Sequence, residues 1–180
     1  MIFPDATATT GRTPLLELAR LAKGLPGRVL AKLEMRNPCG SVKDRVGVAF
    51  IPEVQTVTSQ AGADLASLGL RQSSLQSACK RAVGITDAGL KRKACASLIP
   101  EVLNLSILDE VIAVTDQDAF AAARRLARTE GIVAGVSSGA ALHAALAIAA
   151  RPASAGQTIV TLLADTGERY ITSPLFDLGS

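Results

Sequence analysis

Apolar residues along the chain fall into stretches with different periods. RVLAKL at residues 28–33 has strand character, as do VIAV at 111–114, IVAGV at 132–136 and TIVTLLA at 158–164. The last is apolar at nearly every position, the pattern of a parallel strand buried on both faces. Between the second and third lies DQDAFAAARRLARTE, whose apolar residues recur at helical spacing. Thr115 or Asp116 is placed to cap that helix and Gly131 to terminate it. A second helix, AALHAALAIAA, comes after an SSG loop. Earlier, Thr13-Pro14 marks a turn before LLELARLAK, which reads as a short helix or an extended segment. The loop NPCGS at 37–41 is punctuated by Asn-Pro and Gly, and Ser41 can cap the helix opened by VKDRVGVAF. Pro52 ends or kinks that helix.

Strands alternating with helices predict an α/β fold with a mostly parallel sheet and helices on both faces. The expected strands are 29–33, 111–114, 132–136 and 158–163, in a single compact domain over residues 1–180. Residues 55–97 break the pattern. They are rich in Ser, Ala, Gly and Gln, with weakly periodic helix-like pieces at 63–69 and 74–83. FIPEV at 50–54 recurs as LIPEV at 98–102, too short an echo to be a structural repeat.

Composition sharpens this reading and removes some functions. Aromatic residues make up 3% of the chain and Trp is absent, so the core must be built from Leu, Ile, Val and Ala. The net charge of +3 comes with no Lys/Arg run interleaved with aromatics, so no nucleic-acid partner is expected. Cys39, Cys79 and Cys95 have no metal-ligand spacing and read as free thiols in a reducing cytosol. A single histidine, His143, allows no His-based metal cluster; it sits in an Ala-rich helix as a surface or packing residue. The N-terminal stretch has no basic start leading into an apolar run, so it is not read as a signal peptide. Residues 131–150 lack Asp, Glu, Lys and Arg and are long enough to span a bilayer. They contain GVSSGAA, however, and are rich in Ala and Gly rather than Leu. They are read as strand, loop and helix, with no membrane partner and a cytoplasmic location.

Three loops at expected carboxyl ends of strands carry the candidate chemistry, since ligands bind at such edges in open α/β sheets. Lys43 opens a helix after NPCGS. A helix N-terminus disfavours a cation, and a neutral amine is what Schiff-base chemistry requires. GVSSGAA at 135–141 sets two hydroxyls before a helix, where Ser137 or Ser138 can serve as an N-cap. DTGER at 165–169 comes after an apolar strand, and its Asp165 and Glu168 can be solvated. Neither GxGxxG nor GxxxxGK[ST] is present.

TGRTPLLEL, AKLEMRNPCGSVKDR, IPEVLNLSILDEVIAV, ARRLARTEGIVAGVSSGAAL and LLADTGERYITSPLF, taken together and in this order, resemble cysteine synthase (O-acetylserine sulfhydrylase). The similar segments are 9–45 and 98–176; cystathionine β-synthase shares the first motif but is less similar around GERY. The resemblance implies a shortened core of pyridoxal phosphate (PLP) fold type II, the tryptophan synthase β class. It implies PLP as cofactor, held covalently by Lys43, with Ser137 at the pyridine nitrogen. The implied reaction is β-replacement: Lys43 acts as general base, acetate leaves O-acetylserine and sulfide adds to give cysteine. The implied partners are a small amino-acid substrate and sulfide, with a homodimer as the family's assembly. Members of the family also carry a TSGNTG loop for the substrate carboxylate and a GTGGT loop for the cofactor phosphate. This chain has neither. TSQAG at 58–62 lacks the Asn, and GITDAG at 84–89 is only a faint counterpart of the second loop. The chain looks like a cysteine synthase with its middle deleted or rebuilt and residues 55–97 bridging the gap. The alternative reading is a catalytically inactive α/β remnant.

Overall fold

The structure, a computed structural model, describes residues 2–49, 83–87 and 109–176. Among these, strand β1 (Leu15–Glu17) runs antiparallel to β2 (Arg28–Leu33), and β2 pairs in parallel with β5 (Thr158–Leu163). Arg28 stands beside Thr158 and Leu33 beside Leu163, so β2 and β5 begin and end level with one another. A separate two-stranded sheet joins β3 (Val83–Asp87) in parallel to β4 (Glu110–Val114). Helix α1 opens at Lys43 and occupies residues 43–49. Helices α2 (Asp116–Glu130) and α3 (Val136–Ala149) come after β4 and pack on each other, with α3 lying against β5.

The core has the aliphatic make-up that scarce aromatics require. Val29 and Ala31 of β2, Leu163 of β5, Leu126 of α2 and Leu142 and Ala145 of α3 are buried together with Leu18 and Leu21. A smaller cluster joins Val114 at the end of β4 to Ala119 and Ala144. Gly139 lets α2 and α3 meet closely: a Cβ there would run into the Ala119 carbonyl oxygen and come within 2.9 Å of Ala123 Cβ. Helix α2 begins and ends where its sequence placed it. Thr115 Oγ1 accepts the Asp118 backbone N–H at 3.1 Å, and Gly131 closes the helix at φ 74°.

Four expectations require correction. The expected strands do not join in a single sheet among the described residues: β4 pairs only with β3, apart from β2 and β5. Residues 132–136 form no strand. Ala134 makes one isolated bridge to Thr166 and α3 already starts at Val136, because this stretch is held by the segment after β5 rather than by a neighbouring strand. TIVTLL is not buried on both faces: β5 is an edge strand of its sheet among the described residues, with Val160 61% and Leu162 41% exposed. The helix-like piece at 74–83 ends in a strand residue, since Val83 opens β3, and GITDAG contributes residues 84–87 to that strand instead of forming a loop. The rest of that piece, the piece at 63–69, Pro52, Cys79, Cys95 and the LIPEV echo lie outside the described residues. LLELARLAK resolves into the extended β1 and then turns. Among the described residues, no helix is long and apolar enough to cross a membrane.

Candidate active site

Because β2 and β5 are parallel and level, the chain leaves both at the same sheet edge. After β2 come a 3-10 turn, Glu34–Arg36, the NPCGS loop and α1. After β5 comes the segment 164–167, and this segment binds two loops at once. On one side Val42 N–H donates to the Ala164 carbonyl at 2.7 Å, Ser41 bridges Asp165, and Thr166 N–H donates to the Gly40 carbonyl at 3.2 Å. On the other, Gly135 N–H donates to the Asp165 carbonyl at 3.1 Å, Gly167 N–H donates to the Val133 carbonyl at 3.0 Å, and Ala134 bridges Thr166. The loop that carries Lys43 and the turn that carries Ser137 are therefore fastened to opposite sides of one four-residue strap. Lys43 lies two residues past the rung at Ser41, and Ser137 three past the rung at Ala134.

Both candidate side chains are exposed. Lys43 N–H donates to Ser41 Oγ at 3.2 Å, so Ser41 does cap α1. Ser137 does not lie in a loop but in the first turn of α3, and neither serine caps that helix. The N-cap is Gly135, which has no side chain to offer. The two serines instead divide. Ser138 is fully buried, and its Oγ accepts the Ala164 N–H at 2.9 Å, adding another tie between α3 and the strap. Ser137 is left facing outward. A Cβ on Gly135 would collide with the Asp165 carboxylate and the Tyr170 ring, so glycine is required for that close approach. Asp165 is accordingly half-buried rather than freely solvated. Its Oδ2 accepts from Tyr170 OH at 2.7 Å, and its Oδ1 is buried with no partner. Burial, and then the bond to Asp165, push the Tyr170 phenol above its usual pKa, which keeps it a donor.

A polar network that the motifs did not announce lies under the lysine loop. Glu34, 2% exposed at the end of β2, accepts Thr13 Oγ1 at 2.7 Å and Asn37 Nδ2 at 2.8 Å. Arg45 closes on the same carboxylate with two bonds, Nε to Oε2 at 2.6 Å and Nη2 to Oε1 at 2.9 Å. Asn37 also donates to the carbonyls of Glu34 and Ser41 and accepts the Gly11 N–H. With the Arg45 hydrogen bond as the largest influence, the Glu34 carboxyl is lowered from 4.5 to about 2 against the opposing effect of burial. Its sequence signal was a carboxylate directly after a core strand, within the AKLEMRNP stretch.

Between the NPCG loop and the TGER turn lies an open cleft of about 570 Å³. Cys39, Gly40, Thr166 and Arg169 line it; Lys43 and Ser137 do not. Arg169 spans the cleft to donate to the Cys39 carbonyl. Among the described residues no group of His, Cys, Asp and Glu has the spacing to hold a metal ion.

Comparison with known proteins gives this geometry a context. The sequence profile of the pyridoxal-phosphate dependent enzymes matches residues 6–85 and 88–165. Cysteine synthases of Staphylococcus aureus strains Mu50 and N315 are 46% identical over 81 residues, 45% of this chain. The matched stretch spans 26% of those relatives' own length. A crystal structure of cysteine synthase from Entamoeba histolytica superimposes with a TM-score of 0.82 at 20% identity, covering 100% of this chain and 92% of that one. A crystal structure of O-ureido-L-serine synthase does so at 0.74 and 21% identity, covering 100% and 98%. At these identities the structural likeness speaks to the fold alone, which is the α/β fold of PLP fold type II.

Proposed function

We propose that this chain, which belongs to the family of pyridoxal-phosphate dependent enzymes, is a cysteine synthase that replaces the acetyl group of O-acetylserine with sulfide to give cysteine. The observation that carries the reading is the strap at 164–167, which ties the lysine loop and the serine turn to one sheet edge. The chemistry of these two side chains suits two groups of PLP. An exposed primary amine at a helix start is suited to covalent attachment of an aldehyde. The exposed hydroxyl of Ser137, on the first turn of α3, is suited to a ring nitrogen. PLP, when bound, supplies an electron sink for the bond broken at the substrate's Cα.

The chain's own residues would do the rest. Lys43 Nζ would hold the cofactor and, once freed, would take the Cα proton of the substrate as general base. Ser137 Oγ, being neutral, would not force a ring nitrogen beside it to be protonated as a carboxylate would, and so would favour loss of acetate from Cβ over side reactions at Cα. After sulfide has replaced acetate at Cβ, Lys43 would return the proton to Cα. Mass balances as O-acetylserine plus sulfide giving cysteine plus acetate. Ser138 and Asp165 keep Ser137's turn in place without touching the reacting atoms. The competing reading, an inactive remnant, draws on the absence of GTGGT and TSGNTG from the sequence.

The test is direct. Purified protein with added PLP should develop a visible absorbance band that decays on adding O-acetylserine and recovers on adding sulfide, with cysteine formed. A band without cysteine leaves only a cofactor-binding scaffold; no band at all removes the enzyme reading.

A further inference from the structure

Lys43 itself touches little, yet its position is tightly set from both sides in sequence. Two residues before it, the Ser41 carbonyl accepts Asn37 Nδ2 at 3.2 Å. Two residues after it, Arg45 is held in a two-pronged grip by Glu34. Asn37 and Arg45 both converge on the one buried carboxylate, and Thr13 supplies a further donor to it. Residues two apart on a helix lie about 200° around its axis from each other. Anchoring Arg45 against the end of β2 thus turns Lys43 to another side of α1, where its side chain is exposed. A buried carboxylate without such partners would be costly, and here its oxygens receive donors from three side chains.

We infer that Glu34 is a positioning residue for Lys43: through Arg45 and Asn37 it fixes the loop-to-helix junction from which the lysine amine projects. The inference rests on the proposed function for its meaning in catalysis, but its structural content concerns only Thr13, Glu34 and residues 37–45. Glu34 touches no reacting atom. Its part is to keep a long, flexible amine aimed at one place, so that one lysine of six competes for the aldehyde.

The experiment uses Glu34→Gln and Arg45→Lys, each held well below its unfolding midpoint, with Glu17→Gln as control. That control removes an ion pair whose partners are both about half exposed, Glu17 and Arg28, on the same sheet. Amide hydrogen exchange is measured over residues 42–49. In Glu34→Gln, exchange there should quicken about tenfold, the scale of losing one charge-assisted hydrogen bond, with β2 and α3 unchanged. Arg45→Lys keeps the charge but not the fork, so it should loosen the same segment; full protection in it would reduce Glu34's role to charge balance and overturn the inference. Glu17→Gln should leave the segment as in the unaltered protein. In parallel, protein is treated with PLP and borohydride, and the Lys43 share of the label is compared with that of Lys23. That share should fall severalfold in both variants. Loosening at 42–49 without any labelling of Lys43 in the unaltered protein would sink the proposed function and leave the inference standing. Unchanged exchange at 42–49, or a uniform rise across the whole chain, would overturn the inference whatever the labelling shows.

Discussion

Replacing Gly139 by alanine tests the helix contact that supports the serine turn. In an exposed helix the change would be favourable by about 1 kcal/mol, because glycine is the poorer helix former. Here the new methyl would collide with the Ala119 carbonyl oxygen and lie 2.9 Å from Ala123 Cβ, whereas carbon atoms settle at about 3.5–4.0 Å. The obstructing groups are the backbone and a β-carbon of α2, and neither can swing aside. The helices must separate by about 1 Å, loosening the packing of Ala119, Ala122 and Leu126, all buried. Overpacking of this kind costs about 1–3 kcal/mol; the clash with backbone puts this case at the upper end, so a net loss of about 2 kcal/mol is expected after the propensity gain. Urea unfolding monitored by far-ultraviolet circular dichroism measures it. Gly47→Ala provides the opposite case: it lies in α1, where an added Cβ meets no described atom within 4 Å, so it should stabilise by up to about 1 kcal/mol. If Gly139→Ala is as stable as the unaltered protein, the close crossing of α2 and α3 is wrong, and so is the placement of Ser137 that depends on it.

The two serines of GVSSGAA should separate cleanly in the same unfolding assay. Ser138→Ala leaves the Ala164 N–H without its acceptor and should cost about 1–3 kcal/mol, while Ser137→Ala, on an exposed side chain, should stay within about 0.5 kcal/mol and alter only the PLP absorbance spectrum. Tyr170→Phe removes the one donor, among the described residues, to a half-buried carboxylate whose other oxygen is already without a partner; a loss of about 1–3 kcal/mol is expected, and no loss would show that Asp165 is solvated after all. Acid stability should report Glu34. Its folded pKa lies below its unfolded value, so its contribution is complete above 4.5 and fades as pH falls from there through about 2. The full shift corresponds to about 3 kcal/mol, reduced to about 2 because the Arg45 side chain is 42% exposed and screened by water; Glu34→Gln should flatten this part of the pH profile.

Helix α2 was legible because every local signal agreed: a capping threonine, regular apolar spacing and a terminal glycine in the left-handed region. Lys43 was legible as a helix start for similar reasons. The stretch 132–136 misled because its apolar residues satisfy two demands at once. Val133 and Gly135 hydrogen-bond to the strap as a strand would, yet the helix is already beginning at Val136. TIVTLL looked doubly buried because composition alone cannot say whether a neighbour covers the face of Val160 and Leu162. The Glu34 network was hidden for a different reason. An ion pair between residues 34 and 45, joined by Thr13 and Asn37, exists only once the turn after β2 folds back, and no short-range period encodes it. The division of labour between Ser137 and Ser138 likewise depends on which one faces Ala164, and that is set by the helix starting earlier than expected.

The central claim is that Lys43 and Ser137 flank one cofactor position on either side of the strap. It is tested most directly by incubating the purified chain with PLP, reducing with borohydride, and mapping the modified peptides by mass spectrometry, alone and in Ser137→Ala. The account predicts one pyridoxyl group per chain, on the peptide containing Lys43, with its yield lowered in Ser137→Ala. Label spread over Lys23, Lys32 and the remaining lysines in proportion to their exposure, or a Lys43 yield indifferent to Ser137, would contradict it.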